Sequence, residues 1–215
     1  MTCDARTRIR PPVTNRTRRY AEPVTPTNEQ RPALRADAAR NRARVLQVAR
    51  EQLAAGDDSL QLNAIARLAG VGVATVYRHF PNSHALWEAL SAERFRQLVE
   101  EARESAAEED VRVGLRRLVR FTFQQALDDN GFASVLESPR DNEARTRELK
   151  AELDLAIAQL LERAREAGAI RRDVEPDDVR RLLCGTVHAV RCGESSPALT
   201  EIYLTVLLDG LRPTP

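Results

Sequence analysis

At 215 residues, with 42% hydrophobic and 30% charged, the chain is long enough for one sizeable core or for a small domain joined to a larger one. No apolar run approaches the roughly 20 residues needed to cross a bilayer, and the Arg- and Pro-rich N-terminus has no stretch resembling a secretory signal, so a cytoplasmic protein with no membrane partner is expected. The net charge of +1 hides an asymmetry: residues 1–96 hold 16 Arg against 9 acidic residues, and residues 97–215 hold 17 basic against 23 acidic ones, which suggests that one end meets a polyanion and the other does not.

Residues 1–36 alternate Arg, Thr and Pro without periodicity and read as a disordered arm. Its arginines (Arg6, Arg8, Arg10, Arg16, Arg18, Arg19) leave two readings open: a solvated extension, or a basic arm for a minor groove. Beyond it Ala, Leu, Arg and Glu dominate. These are strong helix formers, so the fold class expected is all-α. A first helix starts near Asp37 as N-cap, buries Val45, Leu46, Ala49 and Leu53 on one face, and ends at Gly56. A short helix over 61–69 places Leu62, Ile65, Ala66 and Ala69 in one stripe. Gly70-Val71-Gly72 interrupts it, and a second short helix over 73–80 turns Val73, Val76 and Phe80 inward. Pro81 stops that helix, and Asn82 or Ser83 caps the next. Long amphipathic helices are predicted over 83–105, 109–129, 132–138, 143–167, 176–191 and 198–211.

Two short helices with a Gly-containing turn and matched apolar faces have the form of a helix-turn-helix. Ala66 and Ala69 are small enough for close helix contact, and Gly70 bends the chain without a Cβ clash. The outer face of the second helix is then Ala74, Thr75, Tyr77, Arg78 and His79. Methyls for thymine, a guanidinium for guanine and hydroxyls for phosphate suit a major groove.

The stretches Ile65-Ala66-Arg67-Leu68-Ala69-Gly70-Val71 and Thr75-Val76-Tyr77-Arg78-His79-Phe80-Pro81-Asn82 resemble the DNA-binding signature of the TetR family of bacterial repressors, and the flanking helices fit over about residues 38–96. The resemblance implies a helix-turn-helix DNA-binding domain over 37–82 and a helical regulatory and dimerisation domain over 83–215. It implies contacts to double-stranded operator DNA from Arg42, Arg44, Gly72, Val73, Ala74, Thr75, Tyr77, Arg78, His79 and Ser83. Gly72 and Ser83 depart from the Ser and Lys common in the family. The resemblance also implies a homodimer and a repressor released from a roughly palindromic operator by a small-molecule effector; residue order by itself does not separate repressor from activator.

In the C-terminal half, Phe121, Phe123, Phe132 and His188 are candidate pocket residues, although Phe132, Trp87 and His188 also read as core. Leu183, Val187, Val190, Ile202 and Val206 are candidate dimer contacts. The cysteines Cys3, Cys184 and Cys192 have no zinc or CxxC spacing, so neither metal nor cofactor is expected, and Cys184 and Cys192 read as small packing residues. An enzyme is disfavoured because no nucleophile–base pair, phosphate loop or metal-spaced cluster stands out. A ligand-blind architectural DNA-binding protein is the other rival; it predicts sequence-independent binding and no internal cavity.

Overall fold

A computed structural model describes residues 30–192 and 196–213, without the side chains of 30, 31 and 33. The basic arm up to residue 29 and Cys3 lie outside the described residues. The described chain is helical, with nine helices in order: α1 (Gln30–Ala54), α2 (Leu62–Ala69), α3 (Val73–His79), α4 (Ser83–Ala107), α5 (Val111–Asp128), α6 (Asn130–Glu137), α7 (Ala144–Glu166), α8 (Pro176–Arg191) and α9 (Pro197–Gly210). None of the described helices is long and apolar enough to cross a membrane.

The chain divides by contact into Met1–Ala38 and Ala39–Pro215. In the first part the described residues are the opening turns of α1. That helix starts at Gln30, well ahead of the expected Asp37 cap, so 30–36 is helical rather than part of a disordered arm. The correction has a local cause: Ala33, Leu34 and Ala36 favour helix, and Pro32 falls in the first turn, where its missing N–H has no helical partner to lose.

The ends of the later helices follow side-chain chemistry. Asn82 caps α4 by accepting from the Ala85 amide, and Asp110 and Asp129 do the same for α5 and α6. Glu175 and Asp178 form a reciprocal capping box on α8, with Pro176 in the first turn.

Two hydrophobic cores form within Ala39–Pro215. The smaller unites Val45, Leu46 and Ala49 of α1 with Leu60, Leu62, Ile65, Ala66, Ala69, Val76, Phe80, Ala85 and Leu86. The larger runs from Phe95 to Leu211 and joins α4–α9. Helix α4 feeds both, and Trp87 packs against each. Beside Trp87 the backbone of α6 comes so close that a Cβ on Gly131 would stand 2.0 Å from the indole.

Candidate DNA-binding face and ligand cavity

The turn between α2 and α3 is set by Gly70, whose φ of 65° is left-handed and strained for a residue bearing a Cβ. Its amide and that of Val71 bond back to Arg67 and Ala66 carbonyls, closing α2. Val76 and Phe80 are fully buried and fix how α3 lies on the small core. Tyr77 and Arg78, between them, are exposed, with Ala74; Thr75 and His79 are half-buried, and the His79 ring lies 6.3 Å from that of Phe80. Val73 is 44% exposed, which corrects the inward position expected for it: as the first residue of α3 it stands before the helix reaches the core. Gly72 is the N-cap and supplies no side-chain bond.

Three of the candidate DNA contacts are engaged within the chain. Arg42 pairs with Glu143 at 3.2 Å, and its guanidinium lies over the Phe80 ring at 5.1 Å. Arg44 donates to the Ala69 carbonyl at the end of α2, and the Ser83 hydroxyl donates to the Leu60 carbonyl. Leu60, fully buried, holds an unusual φ of 40°. These side chains shape the helix-turn-helix from within the chain.

A cavity of about 1060 Å³ opens in the C-terminal half. Its apolar wall comes from α5 (Leu118, Val119), α7 (Leu153, Ile157, Leu160) and α8 (Leu183). Its polar rim comes from residues 138–141 of the link between α6 and α7 and from the starts of α7 and α8. The aromatic pocket candidates lie elsewhere. Phe123 and Phe132 are fully packed, Phe132 against Phe95 at 4.9 Å between ring centroids, and Phe121 sits partly buried against the same core. The cavity lies along the Leu115–Leu118–Thr122 face of α5, and Phe121 and Phe123 project from other faces.

His188 is exposed, not buried as expected. Val187 and Val190 share the inner face of α8, and the two residues between them, His188 and Ala189, turn away. The His188 Nε2 stands 3.3 Å from the Cys192 Sγ. Cys184 is packed, and burial pushes its thiol up to about 11. Of the dimer candidates, Leu183, Val187 and Val190 are buried in the chain's own core, whereas Ile202 and Val206 are 59% and 65% exposed. Gly185 and Ala189 are exposed on α8 at helical spacing from the exposed Leu182, and sequence reasoning missed these two.

Between the face and the cavity lies a buried carboxylate that sequence reasoning also missed. Glu88 of α4 is fully buried. Its Oε1 accepts from the backbone amide of Asn142 at 2.7 Å and its side-chain amide at 2.9 Å, and its Oε2 accepts from the Glu143 amide at 2.8 Å. Burial alone would raise its pKa, but the donors of Asn142, Glu143 and Thr146 together outweigh it and hold the carboxyl below its ordinary value. His84 Nε2 lies 3.5 Å from Glu88 Oε1. With Asp141 these two make a group of possible metal ligands, but the Lys150 ammonium already sits 2.8 Å from Asp141 Oδ1.

Two family profiles match this sequence. One, described as bacterial regulatory proteins of the tetR family, covers residues 45–90. The other, described as the C-terminal domain of SbtR-like transcriptional regulators, covers residues 112–213. Among solved structures, a TetR transcription regulatory protein from Mycobacterium vanbaalenii is 35% identical, over 84% of this chain and 99% of its own, with a TM-score of 0.42. The fatty acid degradation regulator FadR from Bacillus halodurans is 25% identical, over 79% and 99%, with a TM-score of 0.51. FadR from Bacillus subtilis, solved with stearoyl-CoA, shares the fold at 21% identity, over 79% and 99%, with a TM-score of 0.52. A search of curated proteins gave no match.

Proposed function

The chain belongs to the TetR family of bacterial transcriptional regulators, a family of non-enzymatic DNA-binding proteins, and from that premise we propose that it is a cytoplasmic repressor whose hold on a roughly palindromic operator is released by a small molecule in the cavity. Residues 37–82 serve as the DNA-binding domain and 83–215 as the regulatory and dimerisation domain. The observation that carries the reading is the pairing of exposed Tyr77 and Arg78 with fully buried Val76 and Phe80 on one short helix. The inner residues anchor the helix, and the outer pair is left for base edges and phosphates. Thr75, His79, Ala74, Val73 and the Gly72 amide extend that face, and Arg78 is its most direct reader of guanine.

Two copies are needed to span successive major grooves. The exposed apolar side chains Leu182, Ile202 and Val206, with Gly185 and Ala189, form the self-complementary patch for a four-helix contact of α8 and α9. Ligand release follows population shift: a molecule that binds better to a conformer with unsuitable head spacing lowers operator affinity.

The test is binding to the DNA upstream of the protein's own gene, comparing the wild type with Tyr77→Ala and Arg78→Ala at moderate salt. Each substitution is expected to weaken specific binding by about 10- to 100-fold, the value of a good base contact. Binding that ignores sequence or survives both changes would overturn the recognition-helix assignment.

A further inference from the structure

The α6–α7 link faces two ways. On one side Ser138, Pro139, Arg140 and Asp141 line the cavity. On the other, Glu88 of α4 accepts the amides of Asn142 and Glu143, Asn82 at the start of α4 donates to Asn142, and Arg42 of α1 pairs with Glu143. What holds the cavity side is Lys150. Its ammonium donates to the Ser138 carbonyl at 2.9 Å and to Asp141 Oδ1 at 2.8 Å, with the two side chains 17% and 9% exposed. Arg147 ties the same stretch by donating to the Asp141 and Asn142 carbonyls.

We propose that the cavity takes an amphipathic anion, an acid group on an apolar body, and that its acid displaces Asp141 from Lys150 and so loosens the link that braces α1 and α4. This rests on the ligand-released repressor reading and names the ligand class and the residues that transmit its arrival.

The chemistry of the wall favours an acid. An ammonium has three donors, and Lys150 places two on the link, leaving one for a newcomer. Arg140 and Arg147 stand on the same rim. Deeper in, the six apolar side chains named above receive the body of the ligand. The opposing charges on the lining are Asp141, Asp154, Glu175 and Asp177. Asp177 already pairs with Arg180 and Arg181, and Glu175 with Arg165. Asp154 feels the charges of both Arg180 and Lys150, so a cationic ligand approaching it meets two like charges. An acid at Lys150 exchanges one carboxylate for another without leaving an ammonium buried and unpaired.

The probes are dodecanoate, dodecylamine and dodecanol, measured by calorimetry on the full chain and by release of the upstream DNA in a gel-shift assay. Dodecanoate is expected to bind at least about 10-fold tighter than the alcohol and to release DNA. Lys150→Met should abolish the preference for acid over alcohol, and Lys150→Arg should restore part of it. Asp141→Asn should bind dodecanoate more tightly than the wild type, because the internal competitor is gone; damage to a merely structural contact would weaken binding instead. The proposal is overturned if the amine or alcohol binds as well as the acid, if Lys150→Met keeps the acid preference, or if the acid binds without releasing DNA. It also falls if none of the three probes binds. In each of these cases, sequence-specific DNA binding by the wild type still separates this failure from failure of the repressor reading.

Discussion

Around α1–α3 the side chains close on one another, whereas between α5, α7 and α8 they stand back and leave about 1060 Å³ open. The first region is built with small residues and two left-handed glycines, Gly56 and Gly70, with Val45, Ala49, Val76 and Phe80 fully buried. The second is walled by leucines that carry no comparable constraint. A closed core holds one geometry, as the proposed recognition helix needs, and an open one leaves volume for an occupant, as the proposed regulation needs. Stability and adaptability are thus divided between two parts of one chain, with α4 common to both.

The contrast can be broken most sharply by truncating one leucine in each core. Leu86→Ala, in the closed core, should cost an amount in the upper part of the about 2–5 kcal/mol range for such changes. Leu153→Ala, on the cavity wall, should fall at the lower end, since it already borders empty space and loses fewer contacts; thermal unfolding of both variants checks the order. Equal costs would mean that the cavity closes in solution.

Gly131→Ala probes the seam. The added methyl meets the Trp87 ring, and overpacking of this kind costs about 1–3 kcal/mol, read as a lower denaturant midpoint and altered coupling between ligand and DNA.

Acid tests the same seam through Glu88. Its pKa is lowered by folding, so the stability it contributes is present above the unfolded carboxyl value and is lost as pH falls through the folded one. Unfolding followed between about pH 3 and 5 should show a steeper loss in the wild type than in Glu88→Gln, although that variant is less stable at neutral pH. The smallest effect belongs to Gly72→Ser. A Cβ there meets only Thr75 Oγ1 at 3.8 Å, and the hydroxyl can cap α3 for a gain of a few tenths of a kcal/mol. A null result would show that α3 is already held entirely by Val76 and Phe80.

The same contrast governs what could be read from residue order. Ala66, Ala69, Gly70, Val76 and Phe80 announce the helix-turn-helix because close helix contact admits few alternatives, and the long helices announce themselves by periodicity to within a few residues. The cavity left no such mark: Leu118, Leu153 and Leu183 look like any core leucine, and the void arises from how far apart their helices stand. Aromatic side chains drew attention to Phe121, Phe123 and Phe132, yet two of those are packed and none lines the space. The pairing of Arg42 with Glu143 was not legible either, because the two are remote in sequence and only folding brings them together. His188 could have been placed correctly, since Val187 and Val190 define an inner face that excludes it.

Trp87 is the chain's sole tryptophan, and it packs against both hydrophobic cores with Gly131 pressed to its ring. Its position makes it a built-in optical gauge. Excited where indole alone absorbs, the protein emits from this one place, so a shift in colour or intensity when a candidate effector is added reports events at the junction between the cores. Screening for the effector therefore needs neither a dye nor a known DNA site, only the light this indole returns.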